Sequence, residues 1–141
     1  MRLAFRIPLS AIAVFLAGTG AATAKTIPFH AVLVPAPHVR SHGSGTMTGT
    51  FDTKTHEISW KIRYGKLSGR VLDARVHGPA KPGRNAPVIM TMPAPYSSPI
   101  LGVKVVTGKV SAEITGGYSY VVLATEKYPA GELRGRIRPG P

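Results

Sequence analysis

Residues Gly43–Gly65 read GSGTMTGTFDTKTHEISWKIRYG. Thr46, Thr48 and Thr50 alternate with Met47, Gly49 and Phe51. Beyond Asp52–Glu57, Ile58, Trp60, Ile62 and Tyr64 alternate with Ser59, Lys61 and Arg63. A period of two is that of a strand, whose successive side chains point to opposite faces. Two such runs joined by polar turn residues predict a hairpin with one face on a core and the other in water, and Trp60 is its natural core anchor.

The pattern continues in both directions. Ile27, Phe29, Ala31 and Leu33 in TIPFHAVLVPAPH predict a preceding strand that ends at Pro35 and Pro37. RVLDARVHG places Leu72, Ala74 and Val76 on one side and Val71, Asp73, Arg75 and His77 on the other. PVIMTMPAP, ILGVKVVTGKV (with Leu101, Val103 and Val105 sharing a face), YSYVVLATE and GELRGRIRP complete eight candidate strands. In the last, Leu133, Gly135 and Ile137 point inward, and Glu132, Arg134, Arg136 and Arg138 outward. Only Ser111–Gly117 suggests a helical turn. Glycines and prolines between β-branched runs predict one all-β domain of about eight strands with antiparallel connections, a sandwich or a barrel, spanning about Thr26 to about Pro139.

The N-terminus, MRLAFRIPLSAIAVFLAGTGAATA, sets Arg2 and Arg6 before an apolar run that closes on Ala22-Thr23-Ala24. That order predicts a signal peptide over residues 1–24, leaving 25–141 as a single secreted or periplasmic domain. The alternative, a retained anchor, is disfavoured because the run is short and broken by Pro8. With no cysteine, thiol catalysis, thiolate metal sites and disulfides are excluded. The net charge of +12 points to anionic partners, and for an exported chain these are envelope polymers or an acidic protein rather than a specific nucleic acid. The six acids show no paired spacing, no serine sits in a nucleophile elbow and no phosphate-binding loop is present, so a non-enzymatic binding module that needs no cofactor is expected.

Two segments carry a resemblance. His77-Gly78-Pro79-Ala80 opens HGPAKPGRNAPV, and Gly131-Glu132-Leu133-Arg134-Gly135 closes YVVLATEKYPAGELRGRI. Together with the early FHAVLVPAP strand and the GTMTGTFD-to-WKIRYGKLSG hairpin, they make the mature chain resemble the CHRD domain family, first named from chordin. The resemblance implies an extracytoplasmic, all-β, antiparallel Greek-key-like β-sandwich similar in topology to Cu/Zn superoxide dismutase, and it implies no settled activity. Family members commonly carry two histidines at the turn and another in the late strand. Here Arg75 and Ala124 stand at two of those three positions.

His77 is therefore expected to fasten the loop that follows it, one ring nitrogen bonding loop backbone; no metal is expected. The alternative is a copper or zinc ligand in a redox-related protein, and His38 and His42 are close enough in their loop to offer weak ligation. Glu132 or Asp73 is expected to pair with Arg75 or Arg134 in a buried ion pair that holds strands in register. Lys61 and Arg63 on the third strand and Arg134, Arg136 and Arg138 on the last would form an anion-binding stripe if the fold brings those strands together, with Arg70, Lys81, Arg84 and Lys127 in nearby turns. Met92–Ile100 is either a recognition loop tipped by Tyr96, with Tyr118, Tyr120 and Tyr128 extending an aromatic contact area, or a stiff connection.

Overall fold

The computed structural model describes residue 23 and residues 25–141; the signal peptide expected over 1–24 lies outside the described residues apart from Thr23. The elements are β1 (Thr26–Pro35), β2 (Ser44–Asp52), β3 (Glu57–Gly65), β4 (Val71–His77), β5 (Val88–Met92), β6 (Ile100–Val105), α1 (Gly108–Thr115), β7 (Ser119–Thr125) and β8 (Leu133–Pro139). All eight strands match the expected ones.

The decisive hairpin forms in the register its alternation requires, with Phe51 opposite Ile58, Gly49 opposite Trp60 and Met47 opposite Ile62. Asp52 shapes its turn by accepting hydrogen bonds from the backbone N–H groups of Lys54 (2.8 Å) and Thr55 (2.9 Å). Every ladder is antiparallel. The strands run β5-β4-β7-β8-β1-β2-β3-β6. Neighbours in this order are not always neighbours in sequence: the chain crosses over from β3 to β4, from β5 to β6 and, through α1, from β6 to β7. Those crossovers make the fold Greek-key-like and wrap the two halves of the sheet around one core. Phe29, Leu33, Met47, Trp60, Met92, Ile100, Leu123 and Ile137 lie in that core.

Two local expectations are corrected, and a third is made specific. Leu72 is exposed and Val71 buried, because a ladder irregularity between Val71 and Asp73 resets the parity that Ala74 and Val76 then keep. The helix starts at Gly108 rather than Ser111, capped by the Thr107 hydroxyl, which accepts from the Val110 N–H at 3.3 Å; residues 108–110 therefore leave the sixth strand. On β6, Leu101, Val103 and Val105 do share a face, and it is the outer one. Ile100 and Gly102 have the inward parity, and any Cβ on Gly102 would fall 2.2 Å from the Trp60 indole. A large buried aromatic on β3 thus selects the smallest residue at the facing position of β6, while Ile100 enters the core at the start of the strand and Leu101, Val103 and Val105 lie on the surface.

Candidate functional site

β7 is buried along its whole length. Val121 and Leu123 face the main core, while Tyr120 and Val122 belong to a second small cluster with Ala80. The cover over that outer face is the loop after His77, which folds back across β7. Ala80 N–H donates to the Tyr118 carbonyl (2.8 Å) and Gly78 N–H to the Pro87 carbonyl (3.1 Å). The Gly78–Pro79 peptide is cis.

Side chains from three adjacent strands clasp this loop. From β4, His77 Nδ1 bonds the Ala86 carbonyl at 2.8 Å, so that nitrogen carries the proton. From β7, the Tyr120 hydroxyl accepts from the Ala86 N–H at 2.9 Å. From β8, Arg134 donates to Asn85 Oδ1 (2.8 Å) and to the Arg84 carbonyl, and Arg136 donates to the Ala80 carbonyl (2.9 Å). The His77 and Tyr120 rings stack, with centroids 5.0 Å apart and planes within 7°. The Arg134 guanidinium carbon lies 3.6 Å from the Tyr120 ring centroid. Both family-like segments thus converge on one tyrosine, and His77 fastens its loop as expected. A cleft of about 560 Å³ opens beside the clasp, with His38, His77, Tyr120 and Arg134 on its walls.

The three positions marked for imidazoles, 75, 77 and 124, sit on adjacent strands of this outer face. Arg75 Nε lies 3.0 Å from Asp73 Oδ2, and Ala124 offers a buried methyl. One imidazole, one guanidinium and one methyl do not make a multi-nitrogen donor set. His77 Nε2 is buried without a hydrogen-bond partner, and no group of three or more potential ligands comes together among the described residues. His38 lines the cleft, whereas His42 is not among its lining residues.

Glu132 departs from its expected place. Instead of facing outward or pairing with an arginine, it is fully buried. It accepts from Ser41 Oγ (2.8 Å), the Ser68 N–H (2.9 Å) and Thr125 Oγ1 (2.9 Å). One carboxylate therefore ties the β1–β2 loop, the β3–β4 loop and the end of β7 together. Burial pushes its pKa up, but the hydrogen bonds from Ser68, Ser41 and Thr125 outweigh that and hold it below the ordinary 4.5. The expected ion pair exists only as Asp73–Arg75, two residues apart on one strand, where it cannot set register between strands. Tyr96 is no loop tip either: it packs against the core and its hydroxyl donates to the Met92 carbonyl at 2.8 Å.

The cations expected to form one stripe do not come together on adjacent strands. β1 and β2 separate β8 from β3, so the two cationic sets stand three strand spacings, about 14 Å, apart. Arg134 and Arg136 are committed to the loop. Lys61, Arg63 and Arg138 remain exposed, and one cross-strand row reads Arg138, His30, Thr48, Lys61, Leu101 with no acid in it. The acids are withdrawn from the surface field: Glu132 and Glu113 are buried, Asp73 faces Arg75, Glu126 pairs with Arg70 at 3.1 Å, and Asp52 is spent on its turn. Among the described residues only Glu57 is an exposed side-chain carboxylate without a partner, and it stands at the start of β3 on the face that carries Lys61 and Arg63.

Asn85 is not singled out by the sequence, and Tyr120 is read there only as part of an aromatic contact area, not as the residue on which the clasp is built. The signal for Tyr120 is the unbroken apolar run Tyr120–Ala124, which marks a strand covered on both faces. Asn85, in a loop without periodicity, leaves none.

A family model described as the CHRD domain matches residues 29–137. No curated protein and no solved structure matches the chain.

Proposed function

The chain belongs to the CHRD domain family, and from that premise we propose that it is an exported, non-catalytic binding module of the cell envelope. On this reading it engages anionic polymers or an acidic protein partner through the outer face of β1, β2 and β3. The observation that carries the reading is the asymmetry of its charges: nearly every carboxylate is buried, paired or engaged in a turn, while Lys61, Arg63 and Arg138 stay exposed on one acid-free row system. A predominantly positive field of this kind raises the local concentration of polyanions and weakens as salt screens it. The arginines of the clasp contribute to the field without being free to close on a ligand.

No helix among the described residues is long and apolar enough to cross a membrane. The signal-like N-terminus and the family, common among exported proteins, support an extracytoplasmic setting. Support for a non-catalytic role comes from the clasp itself. Its imidazole, phenol and guanidinium groups are hydrogen-bonded to loop backbone and Asn85 rather than to one another as a nucleophile and base.

The test is retention of the protein on immobilised dextran sulfate as a function of sodium chloride. Retention at low salt that falls steeply as salt rises is expected, and Lys61→Gln/Arg63→Gln elutes earlier. No retention at low salt, or indifference to salt, removes the reading.

A further inference from the structure

The aliphatic residues on the same face have no role in binding a soluble polyanion. Leu101, Val103 and Val105 are 60%, 57% and 66% exposed, and Val32 and Val34 on β1 are 65% and 53% exposed. β6 is the edge strand of its half of the sheet, so the triplet stands at a rim. The ladders place it beside one cation, one hydroxyl and one carboxylate: Leu101 is opposite Lys61, Val103 opposite Ser59 and, at the far end from Arg63, Val105 opposite Glu57. Across β2, Thr46 stands between Val32 and Arg63. Lys61 and Arg63 are therefore a cationic ridge between two aliphatic ones. Between the ridges, a shallow groove of about 280 Å³ is rimmed by Thr48, Thr50, Ser59 and Lys61, an ammonium among hydroxyls that suits the oxygens of a phosphate.

We propose that this face docks on an anionic phospholipid surface, with Leu101, Val103 and Val105 entering among the headgroups and Lys61 and Arg63 meeting the phosphates. The inference rests on the anion-binding reading above and names the class of anion. The occupant follows from complementarity. A sulfated or phosphorylated glycan satisfies the cations and leaves the aliphatic residues in water. A second copy of the chain would bring Lys61 and Arg63 against like charge. Only an amphiphile with an anionic head uses both kinds of ridge at once, through screened attraction and unscreened apolar burial together.

The experiment measures cosedimentation of the protein with vesicles of phosphatidylcholine alone and of phosphatidylcholine with phosphatidylglycerol, beside affinity for dextran sulfate. Leu101→Thr/Val103→Thr/Val105→Thr keeps strand-compatible residues at exposed sites, and its thermal melt verifies folding. The triple variant is expected to lose about tenfold or more in partition onto phosphatidylglycerol vesicles and to hold dextran sulfate as the parent does. Lys61→Gln/Arg63→Gln is expected to weaken on both. Parent protein that binds dextran sulfate but does not prefer phosphatidylglycerol vesicles overturns the lipid assignment and leaves the anion-binding reading standing; parent protein that binds neither removes both. Unchanged vesicle binding by the triple variant, or self-association of the parent that the triple variant abolishes, also overturns it.

Discussion

Glu132 shows how much one buried carboxylate can organise when it sits where strands end. Ser41, Ser68 and Thr125 come from three separate segments, and each donates to it. Removing the charge leaves those donors short of an acceptor in a dry site, which costs more than the bonds add in net terms. Glu132→Gln is expected to lower stability at neutral pH by roughly 2 kcal/mol, read from denaturant titrations. The pH dependence has a defined sign. The folded-state pKa lies below the ordinary 4.5, so on acidification the unfolded chain takes up the proton first. The contribution is complete above that ordinary value and is lost as pH falls through the folded one. Wild-type stability therefore declines on the acid side of about pH 4.5, and Glu132→Gln flattens that decline; parallel curves for the two proteins would show that the carboxylate is not the titrating group. The sequence misleads at this residue for a physical reason. Parity assigns Glu132 to the outward set of Arg134, Arg136 and Arg138, but β8 begins at Leu133, and alternation says nothing about the turn before it, where Gly131 adopts a φ of 133°.

Among the elements, the strands were legible and their covers were not. Alternation fixes β1, β2 and β3 because each has one dry face and one wet one. It is ambiguous on β6, where the same aliphatic parity fits either face until Trp60 on the neighbouring strand claims the inner space. The unbroken apolar run of β7 implies two covered faces without naming the second cover, since a loop rich in glycine and proline carries no periodicity to read. That cover is held by planar, bidentate donation from Arg134 to Asn85 and the Arg84 carbonyl while its guanidinium lies over Tyr120. A lysine keeps the charge but neither the fork nor the flat stacking surface. Arg134→Lys is expected to destabilise by about 1–2 kcal/mol. It is also expected to speed hydrogen exchange at the Ala86 and Ala80 amides well beyond that at β2–β3 amides. Equal acceleration across all strands would mean that the loop is not a separate unit clasped by this arginine.

For the molecule as a whole, the same charge asymmetry that recommends a binding role imposes a cost on the free protein. The formal charge, +12 for the full sequence and +10 without Arg2 and Arg6 of the expected signal peptide, is legible by counting. That the compensating carboxylates are mostly buried, paired or locked in a turn is visible only once the chain is folded, and it makes the exterior more uniformly cationic than the count suggests. Like charges gathered on one small domain repel more strongly in the compact state than in an expanded chain. Salt shortens the reach of that repulsion, from a screening length of roughly 30 Å at 0.01 M to about 8 Å at 0.15 M. The folded state is therefore expected to gain stability over that range, with the thermal midpoint rising by about 3–5 °C for each kcal/mol recovered. Binding to polyanions moves the other way, because the same screening weakens attraction between the protein and its ligand. Opposite responses to salt, measured by thermal melting and by retention on dextran sulfate in one set of buffers, separate a surface kept cationic for a partner from one whose charges are locally balanced. A midpoint that falls as salt rises would mean that local ion pairs such as Arg70–Glu126 outweigh the long-range field, and the cationic face would lose its standing as the feature that organises the exterior.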